Sequence, residues 1–442
     1  MADKRYTPRT ETLIFRHFKG MFTFRIIFIF LIFFFAFWQN IFVQASSEKT
    51  LTLKDALTQA MENNHHVKSA LATLPVSQAK LIFAKYRPNP FIGSNAEIVK
   101  GGSFHAIELG SEIEVGRKRY WRIKLAKEEI SKDELEVRKT LWEIHTEVHA
   151  VYAQLSVGLQ ILDLAKERSD FYKTLLDVAE KRYDAGDISR LDLIRTKAEY
   201  LKAQNQLSEF EGRLQKAKIE FNHILGRDPD SELLSPVVAE LKPKIKLHEH
   251  PEVKEIIDRA LDKRIDIAIL EKEFGIAEAK IKKARWERLP NLNIVGGPVR
   301  PSQGNNRWGP FIGGSFQIPV FNRKQGEISE AKAHVGYLEK ERERIEHDIK
   351  IEVANAFHEL EVKEEQVHRF QSGLIDDSEN ILDMTKEGYK LGKLSLTDVL
   401  NTEQQNRYIT ESYLESLLGY RVAVAELEYA VGIPLYEFGE EL

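Results

Sequence analysis

One stretch of this sequence occurs twice, and it constrains the fold more than any other feature. The first copy covers residues 182–194 and the second 388–400, an offset of about 206 positions. In each copy a tyrosine, a glycine, a serine and an aspartate follow one another at the same spacing. A glycine is typical of a helix end, and a serine with a later acid is typical of the next helix start. Each copy therefore predicts a tight helix-to-helix reversal, one at Gly186 and one at Gly392.

The elements around the reversals are also repeated, in the order helix, two strands, very long helix, reversal and long helix. The periodicity predicts repeats at about 51–226 and 251–432, with an irregular connector at 227–250 and β-hairpins at about 90–115 and 291–320. The very long helices cover about 69 and about 66 residues, or about 100 Å each at 1.5 Å per residue. Such lengths exceed those of ordinary globular helices.

The second strand of the first hairpin alternates between apolar and acidic residues. Its apolar positions are Ile107, Leu109, Ile113 and Val115, and its acidic positions are Glu108, Glu112 and Glu114. A two-residue period places the two sets on opposite faces of a strand. In a membrane, the apolar set would face lipid and the three glutamates would face a lumen.

The N-terminal residues have the pattern of an export signal. A basic region precedes a run of about 13 apolar residues, which is short for a membrane-spanning helix. We predict a signal peptide at 1–45 and a mature chain at 46–442; a retained anchor is the alternative. The sequence contains no cysteine, which excludes both disulfides and lipidation of a cysteine.

The predicted strands have about 9 to 13 residues, the length with which a tilted strand crosses a bilayer. Open sheet edges cannot lie in lipid, and about eight strands are needed to close a barrel. Several chains would therefore combine their strands. The long helices are too polar for lipid and would pack as antiparallel coiled pairs in an aqueous compartment. The predicted fold is mainly α with a β-barrel part, and its function would be conduction.

With these features, the sequence resembles a known family, the TolC-like outer-membrane efflux proteins of Gram-negative bacteria. The segment Gln317–Ile328 is similar to the family's strand-to-helix junction, notably in members that serve heavy-metal pumps of the cobalt-zinc-cadmium RND type. The paired reversals and the duplicated halves extend the likeness over nearly all of the mature chain.

The resemblance implies a homotrimer in the outer membrane, with a twelve-stranded barrel in lipid and a helical tunnel across the periplasm. A periplasmic adaptor (membrane fusion protein) and an inner-membrane RND-type pump would dock at the reversals, where the tunnel narrows. Asp398 occupies the first position of the family's acidic rings, and Asn401 replaces the second acid. Tyr389 and Asp192 match the partners of an arginine that locks the closed tip, but that arginine is Leu394 here. Lys393 and Arg190 are candidate substitutes.

The predicted function is that of an exit duct for heavy-metal cations, and two alternatives remain. Drugs or other small molecules are the alternative cargo, and a soluble periplasmic coiled-coil adaptor is an alternative protein, although it leaves the strands unexplained. The sequence has no phosphate loop and no hydrolase or metalloprotease motif, so we predict no enzyme and no cofactor. His145 and His149, one helical turn apart, are interpreted as two exposed polar residues and not as a metal site. The net charge of −4 gives no reason to expect nucleic acid.

Overall fold

The computed structural model describes residues 50–99, 102–232, 235–236, 252–301 and 307–434. The predicted signal peptide and much of the predicted connector lie outside these residues. The chain divides into two units, and every element discussed below belongs to the unit that begins at Thr52. The predicted fold class is confirmed, since the chain is mainly helical with one four-stranded antiparallel sheet. No helix among the described residues is long and apolar enough to span a bilayer.

The elements follow the duplicated order. The helices of the first half are α1 (Leu53–Asn63), α2 (His65–Leu71), α3 (Thr73–Lys85), α4 (Lys118–Asp184) and α5 (Arg190–Ile224), and those of the second are α6 (Val253–Lys263), α7 (Ile265–Glu287), α8 (Gln325–Arg369), α9 (Ile375–Lys390) and α10 (Leu396–Val431). The strands of the four-stranded sheet are β1 (Phe91–Val99), β2 (Gly102–Ile113), β3 (Leu292–Pro301) and β4 (Gly309–Phe316). In place of the single helix that the repeated order predicts before the first hairpin, there are three helices, because Asn64 caps α2 through its side chain and α3 begins after Ala72.

In each half, the end of the last helix packs against the junction between the first two helices. In the first half the Asn64 side-chain amide donates to the carbonyl of Ile224 over 2.8 Å, at the end of α5. In the second half the Arg264 guanidinium donates to the carbonyls of Tyr429 and Ala430, at the end of α10. The two halves therefore repeat a tertiary contact, although the side chain that makes it differs.

The two very long helices differ. The first, α4, is continuous over 67 residues, as expected. The second, expected to be continuous at 326–391, is interrupted by a π turn at Phe370–Leu374, which separates α8 from α9. Gly373 has φ +123° there and Ser372 leaves the helical region, which breaks the ladder of helical hydrogen bonds. The sequence prediction missed this interruption because one glycine within a helical pattern is tolerated.

The sheet has the order β1-β2-β3-β4, and its register places like residues together. Leu109 faces Ile92 on one side and Gly296 on the other, which in turn faces Ile312. Ile113 faces Leu292, which faces Phe316. Paired residues share a face, so the apolar positions of both hairpins form one continuous surface. The main core lies elsewhere, where α4, α6, α8 and α10 pack together.

Candidate functional site

The two predicted reversals lie at equivalent places and have the same backbone. Gly186 has φ +80° and Gly392 φ +70°, the left-handed region in which glycine ends a helix. The amide of Gly186 donates to the carbonyl of Tyr183 over 2.9 Å, and that of Gly392 to the carbonyl of Tyr389 over 3.0 Å. The amide of the following residue donates to the carbonyl of the residue before the tyrosine, over 2.8 Å in both copies. These bonds join Asp187 to Arg182 and Lys393 to Gly388. Both helices therefore end in the same paired-bond motif.

The helix that follows each reversal begins with a capping box. The Ser395 hydroxyl and backbone amide donate to the Asp398 carboxylate over 2.7 and 2.8 Å, and the Asp398 amide donates to the Ser395 hydroxyl over 3.2 Å. Ser189 and Asp192 make the same set in the first half. The hydrogen bonds from Ser395 lower the pKa of Asp398, which keeps this exposed carboxylate ionised near neutral pH. Both aspartates therefore have a structural role, whatever else they do.

The two tyrosines of the repeat are in different surroundings. Tyr183 is 39% exposed, whereas Tyr389 is 7% exposed. Tyr389 belongs to a small core that also contains Tyr172 and Leu175 of α4 and Val399 of α10. This core, the tip core, joins the end of the first half's long helix to the second reversal.

The cation that lies over the Tyr389 ring is neither of the candidates named from the sequence. The Arg182 guanidinium lies over the Tyr389 ring, 5.2 Å from its centre, while Lys393 and Arg190 are exposed. Arg182 directly precedes the repeat's tyrosine on α4, so only the packing of α4 on α9 brings it to Tyr389. Leu394, at the position where the resemblance implies an arginine, lies against Gly388, where a Cβ atom would come within 2.6 Å of it. Asn401 is exposed on the second turn of α10.

A buried polar cluster lies next to the tip core, and sequence reasoning missed it. Arg168 of α4 pairs with Glu403 over 3.0 Å and with Glu411 over 2.9 Å, both on α10. The Tyr172 hydroxyl donates to the other oxygen of Glu403, and burial together with that carboxylate raises the tyrosine's pKa. The sequence gives one sign of this cluster, which is that Arg168 and Tyr172 are one turn apart and so lie on the same face of α4. Their partners are more than 200 residues away, so no local pattern identifies them.

A groove of about 720 Å³ runs beside Tyr389 between the ends of α4 and α9. Phe171, Leu175 and Val178 form its apolar wall, and Arg182 and Lys386 supply positive charge. Acidic residues such as Asp170 and Asp187 line it as well, so the groove is an apolar surface bordered by charges of both signs.

The strand residues predicted to face a lumen are divided by the structure. Glu108 and Glu112 lie on β2, on the face opposite Leu109. Glu112 accepts a hydrogen bond of 2.6 Å from the Asn291 side chain. Glu114 is not a strand residue: β2 ends at Ile113, and the Glu114 carboxylate pairs with Arg122 of α4 over 2.6 Å. The alternation of the sequence continues past the end of the ladder, which explains the wrong placement.

The histidine pair on α4 is not exposed as expected. The side chains of His145 and His149 are 18% and 9% exposed, and both face Glu428 of α10, which is fully buried. His145 Nε2 and His149 Nδ1 are each 3.8 Å from Glu428 Oε2. Burial lowers the pKa of His149 to about 4, so its imidazole is neutral near pH 7. Among the described residues, His145, His149 and Glu428 form a group of three potential metal ligands whose donor atoms lie within 4.8 Å of one another.

Comparison with known proteins gives four likenesses. Residues 56–227 match the family model of outer membrane efflux proteins. The chain is 22% identical to the cobalt-zinc-cadmium resistance protein CzcC of Cupriavidus metallidurans over 355 residues, covering 80% of this chain and 83% of that protein. Among solved structures, CusC superposes with a TM-score of 0.70 at 17% identity, covering 86% of this chain and 92% of that chain. The CmeC outer membrane channel of Campylobacter jejuni gives 0.69 at 16% identity, covering 86% and 85%.

Proposed function

The chain carries an outer membrane efflux protein domain and has the fold of outer-membrane channels, and we propose that three copies form the exit duct of a tripartite efflux pump. The open sheet is the observation that supports assembly. Among the described strands, β1 and β4 each pair with one neighbour. In lipid their outer edges would leave backbone amides and carbonyls without partners. Three copies supply twelve strands, enough to close a barrel, and the matched apolar face of the sheet suits contact with lipid.

Assembly is tested with a pair of adjacent residues on opposite faces of β2. Leu109→Arg places a charge on the face proposed to contact lipid, at a cost of about 2–4 kcal/mol near the bilayer centre. Glu108→Arg places the same charge on the face proposed to line the lumen. We expect Leu109→Arg to abolish heat-resistant trimers in outer-membrane fractions and Glu108→Arg to retain them. Equal trimer yields for both variants would contradict the proposed facing.

The reversals are proposed as the end that closes the tunnel and receives the adaptor. The proposal assigns Asp398 to the narrowest ring, with Asn401 one turn below it. Ser395→Ala is the matched control, because it removes the hydroxyl of the same capping box and keeps the Asp398 carboxylate. Asp398→Ala should therefore reduce block by multivalent cations in planar bilayers, and Ser395→Ala should not. An equal change in both variants would assign the effect to helix capping and remove Asp398 from the pore.

The groove beside Tyr389 is proposed to contribute to adaptor docking. A photo-crosslinking residue at Leu391, which lines the groove and is exposed, should capture the adaptor in cells. The same residue at exposed Tyr337 of α8, nearer to the sheet, should not. Capture at Tyr337 alone would contradict docking at the reversals.

We propose heavy-metal cations as the cargo, supported by the likeness to a cobalt-zinc-cadmium resistance protein. Deletion of the gene should lower the tolerated concentrations of zinc, cobalt or cadmium salts and leave those of drugs unchanged. Loss of drug tolerance alone would favour a duct for organic molecules. The duct itself would then stand while the cargo changes.

A further inference from the structure

The sequence motif that the proposed function leaves unused is the histidine pair on α4. From its geometry we propose that His145, His149 and Glu428 form a binding site for one first-row divalent transition-metal ion, Zn²⁺ or Co²⁺, in the wall of the helical part. The ion would be a resident ligand and not cargo in transit. It would connect α4 of the first half to α10 of the second, and the site would exist whether or not the duct exports metals.

The spacing of the ligand atoms fits such an ion. The three donor atoms lie within 4.8 Å of one another, and each histidine nitrogen is 3.8 Å from Glu428 Oε2. Metal–ligand bonds of about 2.0–2.1 Å at tetrahedral angles would place the donors about 3.3–3.5 Å apart. The site therefore needs a contraction of a few tenths of an ångström between each histidine and the carboxylate, and of up to about 1.5 Å between the two histidine nitrogens, which side-chain rotation supplies. Two histidines at positions i and i+4 already present their nitrogens on one helical face.

A second observation also points to a ligand. His145 Nε2 is buried and makes no hydrogen bond in the part of the chain that is described. Buried polar atoms are nearly always hydrogen-bonded, and an ion is one explanation of an exception. The ring of His145 is held in place by stacking on Trp142, with centres 4.8 Å apart and planes 10° apart. Such support fixes the direction of a ligand before the metal arrives.

The charges around the site select the kind of ion. Arg421 lies near His149, and its positive charge disfavours any ion held by electrostatic attraction alone. Hard ions such as Mg²⁺ and Ca²⁺, which prefer shells of oxygen ligands, gain little here. Zn²⁺ and Co²⁺ gain from bonds to imidazole nitrogen. Two histidines and one carboxylate also leave a fourth position for water.

The test uses the full mature protein, purified in detergent without a polyhistidine tag and stripped with EDTA. Co²⁺ should bind at one equivalent per chain with visible d–d absorption that Zn²⁺ removes, and Mg²⁺ should not compete. His145→Gln and His149→Gln should each weaken binding by about 100-fold or more, since even residues that only support a ligand contribute 10–100-fold. His358 is the matched control, because it makes an exposed pair with Glu361 on α8. His358→Gln should bind as the wild type does.

Stability gives a second readout that does not depend on absorption. Zn²⁺ should raise the melting temperature of the wild type and of His358→Gln, and leave that of His145→Gln unchanged. His145 is chosen because its partial exposure lets glutamine replace it with little effect on the fold, which circular dichroism would verify. The proposal is overturned if the wild type and His149→Gln bind Co²⁺ alike, or if Zn²⁺ stabilises His145→Gln as much as the wild type.

Discussion

The two helix reversals have the same backbone but different surroundings. Each ends its helix at a glycine of positive φ and starts the next helix with a Ser–Asp capping box. At the first reversal Tyr183 is exposed, whereas at the second Tyr389 is packed in the tip core beneath Arg182. Nearby sequence therefore determines the shape of each reversal. Contacts with the other half determine how firmly it is held.

This difference indicates which of the two reversals is held more firmly within one chain. The second reversal is fastened to α4 by the tip core and by the polar cluster of Arg168, Tyr172 and Glu403. If the tunnel opens at the reversals, as we propose, those contacts are the ones that must change.

Glu403→Ala should have the largest effect. It leaves the buried Arg168 with only Glu411 and removes the acceptor of the Tyr172 hydroxyl. Breaking a buried ion pair by deleting one partner costs about 3–5 kcal/mol. We expect faster hydrogen exchange in the last turns of α4 and the first turns of α10. Glu209→Ala, which removes an exposed pair with Arg213, should cost less than about 1 kcal/mol. Similar exchange in both variants would show that the cluster does not hold the tip.

Tyr389→Ala and Tyr183→Ala compare equivalent positions of the two reversals. Removing the buried ring of Tyr389 should cost about 3 kcal/mol, the lower end for a large aromatic side chain. Removing the exposed Tyr183 should cost less than about 1 kcal/mol. Thermal unfolding in detergent, followed by circular dichroism, measures both. Equal losses would mean that Tyr183 is also buried in the assembled protein.

Features that depend on nearby residues could be predicted from the sequence, and contacts between distant helices could not. The reversals, the four strands and the continuous helix α4 depend on nearby residues, and their patterns are readable as glycine, capping and periodicity signals. The π turn at Gly373 was missed, because a helical pattern with one glycine does not reveal whether the glycine is helical.

The polar clusters could not be predicted, because burial in them depends on helices far apart in the chain. The sequence shows His145 and His149 one turn apart, but not that Glu428, nearly 280 positions later, closes them from solvent. Arg168 likewise gives no sign of Glu403. The periodicity of a single sequence shows which face of each helix is apolar. It does not show which face of another helix packs against it.

The capping boxes should respond alike, in contrast to the tyrosines. Ser189→Ala and Ser395→Ala should each cost about 1 kcal/mol, the usual value for losing such a cap. Hydrogen exchange at the first turns of α5 and α10 measures the two losses. A much larger loss at Ser395 would show that the second box also contributes to contacts between chains.

Acid tests the second box further. The pKa of Asp398 is lower in the folded protein than its ordinary value of 3.8, so its contribution is present at neutral pH. That contribution is lost as pH falls through the lowered value. In the Ser395→Ala variant the hydroxyl hydrogen bond is gone and the residue-395 amide still lowers the pKa of Asp398, so the loss should be smaller and should be complete at a higher pH. Hydrogen exchange at α10, followed from pH 5 downward, should show this shift.

Tyr389→Phe should have the smallest effect, and it tests whether the tip core is complete within one chain. The Tyr389 hydroxyl is buried and has no hydrogen-bond partner among the described residues. Removing it should therefore be neutral, or stabilising by up to about 1 kcal/mol, because no bond is lost and a desolvated polar group disappears. Tyr172→Phe is the control: it loses the bond to Glu403 and should destabilise by about 1–3 kcal/mol. If Tyr389→Phe also destabilises the assembled protein by 1 kcal/mol or more, its hydroxyl must bond a residue of a neighbouring chain. The second reversal would then be fastened between chains as well as within one.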